Sequence, residues 1–244
     1  MVRVMSKIDK IEELQNLLRQ DAKNFQARKQ LAVLLSECGF NEEALKNLLY
    51  LSHVSGTDSE IFYNLGIVYE KLKDFQKAKE SYLRAVAISP ENSDAVYNLG
   101  LVYTELQDYE KAIECFENVL KNDVDDSNSY FNIGIAFFKT GELDKAAKYF
   151  QNALDLNKED IYAQFYVANI LKELGDSEGA AEGFKRVLEI SPDYSWAYFN
   201  LAVIDYENGD YEGAKEKLEK TIELNPNDNE ARAILGKIEQ QLEG

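Results

Sequence analysis

An all-α array of antiparallel helix pairs is the fold class this sequence predicts, on three observations. A period of 34 residues runs through most of the 244-residue chain without a gap. Apolar residues recur at helical spacing twice in each period. Proline is limited to three residues while Ala, Leu, Glu, Lys and Tyr dominate long stretches, which suits helices joined by short turns.

Residues 1–24 open the chain, and Ser6 to Arg19 reads as an amphipathic helix carrying Ile8, Ile11, Leu14, Leu17 and Leu18, a half repeat or cap. This opening holds no apolar run long enough for a signal peptide or a membrane span, so the expected location is cytoplasmic. Six full units follow, at 25–58, 59–92, 93–126, 127–160, 161–194 and 195–228. Their register is carried by Leu65, Leu99, Ile133, Val167, Leu201 and Leu235, and again by Ala44, Ala78, Ala112, Ala146, Ala180 and Ala214. Within the second unit, Glu60 to Leu72 and Phe75 to Ile88 both show helical spacing, so each unit is a helical hairpin.

Inside the hairpins, Gly39, Gly141, Gly175 and Gly209 mark the turn, because glycine reaches the left-handed conformation that ends a helix. Asn41, Asp176 and Asp210 follow as expected caps of the second helix. Between units, Ser89-Pro90, Ser191-Pro192 and Asn225-Pro226 stop the second helices, since the residue before proline disfavours the helical region. The last element, 229–244, is a closing helix with Ala231, Ile234, Leu235 and Ile238 on one stripe and Glu239, Gln240 and Gln241 polar.

These residues resemble the tetratricopeptide repeat family. The likeness is carried by Leu99-Gly100, Tyr103, Ala112 and Phe116 in one unit and by Leu65-Gly66, Tyr69, Ala78, Tyr82, Ala85 and Pro90 in another. Ala32, Ala168 and Ala202 depart from the small glycine of the pattern, and Val124 and Lys158 stand where proline is usual. The resemblance covers residues 25–228 and implies a right-handed superhelical α-solenoid whose first helices line the concave side.

In the first helix of unit 59–92, Phe62, Leu65, Gly66 and Tyr69 are expected to face the second helix, which leaves Tyr63 and Ile67 on the opposite side. The same two positions hold Tyr97 and Leu101, Phe131 and Ile135, Phe165 and Asn169, then Phe199 and Val203. Such a stripe exceeds what pairing within a hairpin needs and is expected to contact a partner, with packing between units as the competing reading. Tyr162, Trp196, Phe138 and Tyr206 enrich its C-terminal half, and anchors are expected at Phe131, Phe165, Trp196 and Phe199.

A row of amides, Asn64, Asn98, Asn132 and Asn200, runs beside the stripe and is interrupted by Tyr166. An asparagine offers both a donor and an acceptor, so the row either bonds the backbone of an extended polypeptide or bonds a neighbouring turn of its own chain. It is similar to the asparagine ladder in the superhelix of O-GlcNAc transferases. The carboxylate clamp of chaperone adaptors finds only Lys29 and Asn64 as partial matches, so acidic C-terminal tails are not the expected partner.

Composition narrows the function further. A formal net charge of -17 repels nucleic acid and anionic lipid and favours a partner with apolar anchors and basic flanks. Cys38 and Cys115 lie far apart without metal-ligand spacing, and His53 is the single histidine, so neither a metal site, a cofactor nor a catalytic set is expected. The expected function is a non-enzymatic adaptor that holds an extended or helical segment of another protein in its groove. The alternative is a scaffold that self-assembles into a homo-oligomer through that groove or a terminal helix, rather than staying a monomer.

Overall fold

The computed structural model describes residues 6–242, so Met1–Met5, within the first expected element, and Glu243–Gly244, within the last, lie outside the described residues. Fourteen helices are found among the described residues, with no strand. They are α1 Lys7–Gln20, α2 Phe25–Glu37, α3 Asn41–Val54, α4 Ser59–Lys71, α5 Phe75–Ile88, α6 Ser93–Glu105 and α7 Tyr109–Asn122, followed by α8 Ser127–Lys139, α9 Leu143–Leu156, α10 Ile161–Glu173, α11 Ser177–Ile190, α12 Ser195–Glu207, α13 Tyr211–Leu224 and α14 Asn229–Leu242. From α2 to α14 both the first helices and the second helices begin at intervals of 34 residues, so the sequence period is carried into the backbone without slippage. The fold is an all-α solenoid of helix pairs. The chain divides into two compact units, one ending at Asn132 and the other starting at Ile133.

Each hairpin turn uses the same hydrogen bonds. In the first, Gly39 donates its N–H to the Ser36 carbonyl and Phe40 donates to Leu35, the arrangement in which a left-handed residue closes a helix end. Gly39, Gly141, Gly175 and Gly209 all have positive φ, between 79° and 85°. In the second and third hairpins the position is held by Lys73 at φ 62° and Gln107 at φ 60°, with the same bonds made by Lys73 to Glu70 and Asp74 to Tyr69. There the turn forms without glycine because the surrounding helices determine it, at a cost of roughly 1–2 kcal/mol for a side chain in that region.

Caps set the starts of the second helices less uniformly than the sequence suggests. Asp176 and Asp210 do cap α11 and α13, accepting from Gly179 and Gly213. Asn41 does not cap: it is the first residue of α3, and Phe40, in the cap position, offers no side-chain bond. The left-handed glycine brings the chain into α3 one residue earlier than the polar residue alone indicates.

Packing explains the small residues of the pattern. A Cβ on Gly66 would fall 2.4 Å from the Tyr82 ring, and one on Gly100 would fall 2.8 Å from the Phe116 ring. Both rings are wholly buried, so the first helix can approach the second only where a Cβ is missing. First helices bury two sides rather than one. In α4, Phe62 and Leu65 are buried as expected, but so are Ile61 and Val68, which join Ala44, Leu48 and Leu51 of α3 in one core. At the chain start Ile11 and Leu14 bury α1 in the same core, and Lys7 of α1 pairs with Glu37 of α2 at 2.6 Å. At the other end Ala231 and Ile238 of α14 bury against Leu218 of α13.

Candidate functional site

Placing Tyr63 opposite the second helix needs correction. Its ring lies 6.0 Å from that of Tyr82 on α5, and Tyr97 stands in the same relation to Phe116 at 5.5 Å. One helical turn covers a wide arc, and these rings lean over the edge of the pair to roof its core. Tyr63, Tyr97, Leu101, Phe131, Ile135 and Phe165 are each half-buried. The stripe therefore packs within the helix pairs and keeps part of each side chain in water.

The amides bond inside the chain. Asn98 donates to the Tyr63 hydroxyl at 3.4 Å, and Asn132 donates to the Tyr97 hydroxyl at 2.9 Å, in both cases joining consecutive first helices. Asn64, Asn132, Asn169 and Asn200 each donate to the carbonyl four residues earlier, namely Glu60, Asn128, Phe165 and Trp196. Asn200 also accepts from Lys172 at 2.6 Å and is buried. Its amide thus has both ends engaged, whereas Asn64, Asn98, Asn132 and Asn169 are half-buried.

Rim cations are also engaged. Lys29 bridges Asp58 at 3.2 Å and Glu60 at 2.5 Å, and Lys71 donates to the Ser36 carbonyl at 2.8 Å. Beneath the rim, the Tyr82 hydroxyl donates to Glu70, whose carboxyl is pushed up by burial and by the nearby Glu105. Burial holds the Tyr63 hydroxyl above its ordinary value. Burial also pushes the Cys115 thiol up to about 12, which leaves it a poor nucleophile.

In the C-terminal unit several of the predicted residues converge on open space. Phe165, Asn169, Trp196, Phe199 and Asn200 line a cleft of about 390 Å³ together with Tyr194. Phe199 is 7% exposed and, with the buried Asn200, lies at the floor; the exposed anchor expected at Phe199 is corrected to a residue of the core. Of the lining residues Trp196 is the most open, at 51%, and Tyr162, outside the lining, is 56% exposed. Tyr194 packs edge-on against Phe165 at 5.4 Å and against Tyr162 at 6.3 Å.

Two of the lining residues break the repeat. The position of Tyr194 is held elsewhere by Asn24, Asp58, Asn92, Asp126, Asp160 and Asp228, each accepting a backbone N–H at the start of its helix. Tyr194 makes no such bond, so α12 forgoes a cap worth about 1 kcal/mol. Asn169 stands in a column filled in the other five units by Val33, Ile67, Leu101, Ile135 and Val203. Tyr194 was not singled out in the sequence, although the missing Asp or Asn at that register position was a signal in plain view.

The repeat register and the helix pairs have a counterpart in known sequences. Family models described as "Tetratricopeptide repeat" match residues 59–92, 92–159, 131–195 and 171–238. The chain belongs to the tetratricopeptide repeat family. No curated protein matches it. Solved tetratricopeptide repeat structures share its fold. MamA is 22% identical with a TM-score of 0.62, covering 70% of this chain and 94% of its own. YrrB, described as a TPR protein with an unusual peptide-binding site, is 24% identical with a TM-score of 0.60, covering 76% and 96%. PilF of Pseudomonas aeruginosa is 18% identical with a TM-score of 0.72, covering 87% and 97%. In this tetratricopeptide repeat protein, among the described residues, no helix is long and apolar enough to cross a membrane and no group of three His, Cys, Asp or Glu is placed to hold a metal ion.

Proposed function

We propose that this protein is a non-enzymatic binding module that holds a segment of another polypeptide along the face of its first helices. The observation that carries this reading is the cleft formed by Phe165, Asn169, Tyr194, Trp196, Phe199 and Asn200, where apolar rings are left in water beside an amide. In the N-terminal unit the half-buried Tyr63, Tyr97 and Phe131, with the half-buried Asn64, Asn98 and Asn132, offer the same mixed character on the first helices. The peptide-binding description of YrrB is in keeping with this use of the fold. A formal net charge of -17 favours a partner whose apolar anchors are flanked by lysine or arginine.

A capture experiment tests the reading. Wild type is compared with a variant carrying Asn98→Ala, Asn132→Ala and Phe165→Ala, with circular dichroism confirming that the variant is folded. Loss of the captured polypeptide with the folded variant is the expected result. Equal capture by both proteins rejects the first-helix face as the binding surface.

A further inference from the structure

The cleft between α10 and α12 is built from departures from the repeat, and the departures agree with one another. Tyr194 takes the place of a capping carboxylate or amide, Tyr162 and Trp196 take positions that hold Glu60, Asp94 and Asn128 in earlier units, and Asn169 replaces an aliphatic residue. Packing of the repeat does not call for these choices, because the other helix pairs stack without them. Local helix stability at the start of α12 is lower for it, as the absent cap bond shows. What the substitutions create is an open cleft with rings on three sides: Phe165 and Tyr194 meet at 70° and Trp196 and Phe199 at 80°.

Resting on the reading that a segment binds along this face, we infer that the cleft seats one aromatic side chain of a basic segment, and that Tyr194 is the residue that selects it. Size and chemistry decide the occupant. About 390 Å³ exceeds an aliphatic side chain and suits a ring with its adjoining backbone. The edge-on arrangement of the lining rings offers faces and edges to a further ring in the geometry aromatic pairs prefer. The Lys172 ammonium, held by Asn200 at the floor, and the uncapped N–H groups at the start of α12 both disfavour a cationic group inside the cleft. Basic residues belong instead to the flanks of the segment, where Glu159, Asp160 and Asp193 in the loops ahead of α10 and α12 add to the acidic surface.

Asn169 has one N–H on the Phe165 carbonyl, and its amide oxygen serves the backbone of the bound segment beside the ring. Trp196 is the single tryptophan, so its emission reports on the cleft directly.

The full-length chain is screened against a positional-scanning library of soluble hexapeptides with lysine fixed at both ends, and Tyr194→Asp and Trp196→Ala are screened alongside. The expected result is enrichment of Phe, Tyr or Trp at one position, a shift in Trp196 emission with the selected peptide, and a roughly tenfold loss of affinity in each variant. Tyr194→Asp supplies the cap that the other first helices have, and Trp196→Ala alters an exposed side chain, so a folded control is retained if one variant is compromised. Enrichment of aliphatic or cationic residues at that position overturns the assignment of the occupant while leaving the binding face intact. Enrichment unchanged in both variants overturns the assignment of the cleft. Absence of selection by wild type overturns this inference, and capture by the intact face would then still stand on its own test.

Discussion

Ala168 on α10 and Gly183 on α11 have exchanged sizes. In the three preceding pairs the first helix carries the glycine, Gly66, Gly100 or Gly134, and the second helix carries a larger residue, Ser81, Cys115 or Tyr149, in the position of Gly183; Ala32 and Ala202 also replace the glycine, but Asn47 and Lys217 stand opposite them. Here the first helix gains a methyl group, and a Cβ built on Gly183 would lie 2.8 Å from the Ala168 Cβ. Neither atom can rotate away, so Gly183→Ala is expected to destabilise the protein by about 1–3 kcal/mol despite its better helix propensity. Ala168→Gly in the same background should recover most of that loss, as read from the strong coupling in a double-mutant cycle of urea unfolding; additive effects would show that the two residues do not share the space.

Lys73 and Gln107 do the work of glycine in the left-handed region. Lys73→Gly and Gln107→Gly are each expected to raise stability by about 0.5–1 kcal/mol, less than the full strain because glycine also loosens the unfolded chain. Denaturant midpoints measure this, and Gly141→Ala should shift the midpoint in the opposite direction.

Much of this fold was legible because each signal repeats. One glycine in a turn is weak evidence, but Gly39, Gly141, Gly175 and Gly209 at one register position fix the turn even where Lys73 and Gln107 stand in for them. The site was less legible. A helical wheel puts Tyr63 about 100° from Phe62, at the flank of the paired face rather than opposite it, yet does not tell how far the ring leans over the pair, and nothing in the type or spacing of Asn200 says that Lys172 reaches it and that burial withdraws it from solvent. Tyr194 is the reverse case: comparing units column by column isolates it, whereas looking for residues on the first helices passes over it, since it precedes α12.

Glu70 supplies a pH dependence. Burial raises its folded pKa above the unfolded value, with Glu105 adding to the shift and the Tyr82 bond opposing it. A carboxyl of this kind contributes stability that is fully present below its unfolded pKa and is lost as pH rises through the folded pKa. Glu70→Gln keeps an oxygen for the Tyr82 hydroxyl and is therefore expected to raise Tm at neutral pH, with the advantage shrinking as pH is lowered toward the ordinary glutamate range. A Tm difference independent of pH would remove Glu70 as its source.

Trp196 separates contact from stability. Its side chain is half in water, so Trp196→Ala should change the unfolding free energy by no more than about 0.5 kcal/mol. Partner affinity measured by calorimetry should fall by roughly 1–3 kcal/mol. A variant that unfolds at markedly lower denaturant would assign Trp196 to the core instead.

The cross-helix bonds have a consequence for how the molecule is assembled in time. Tyr63 with Asn98, Tyr97 with Asn132 and Ser36 with Lys71 each join residues 35 positions apart, and Lys172 with Asn200 joins residues 28 apart. Each closes a loop of about one period, so the entropy of bringing partners together is the same small quantity along the array and does not grow with chain length. Folding can begin at more than one hairpin and spread to its neighbours. Hydrogen exchange would accordingly be slow in pairs packed on both sides, with α12 exchanging early at its uncapped start.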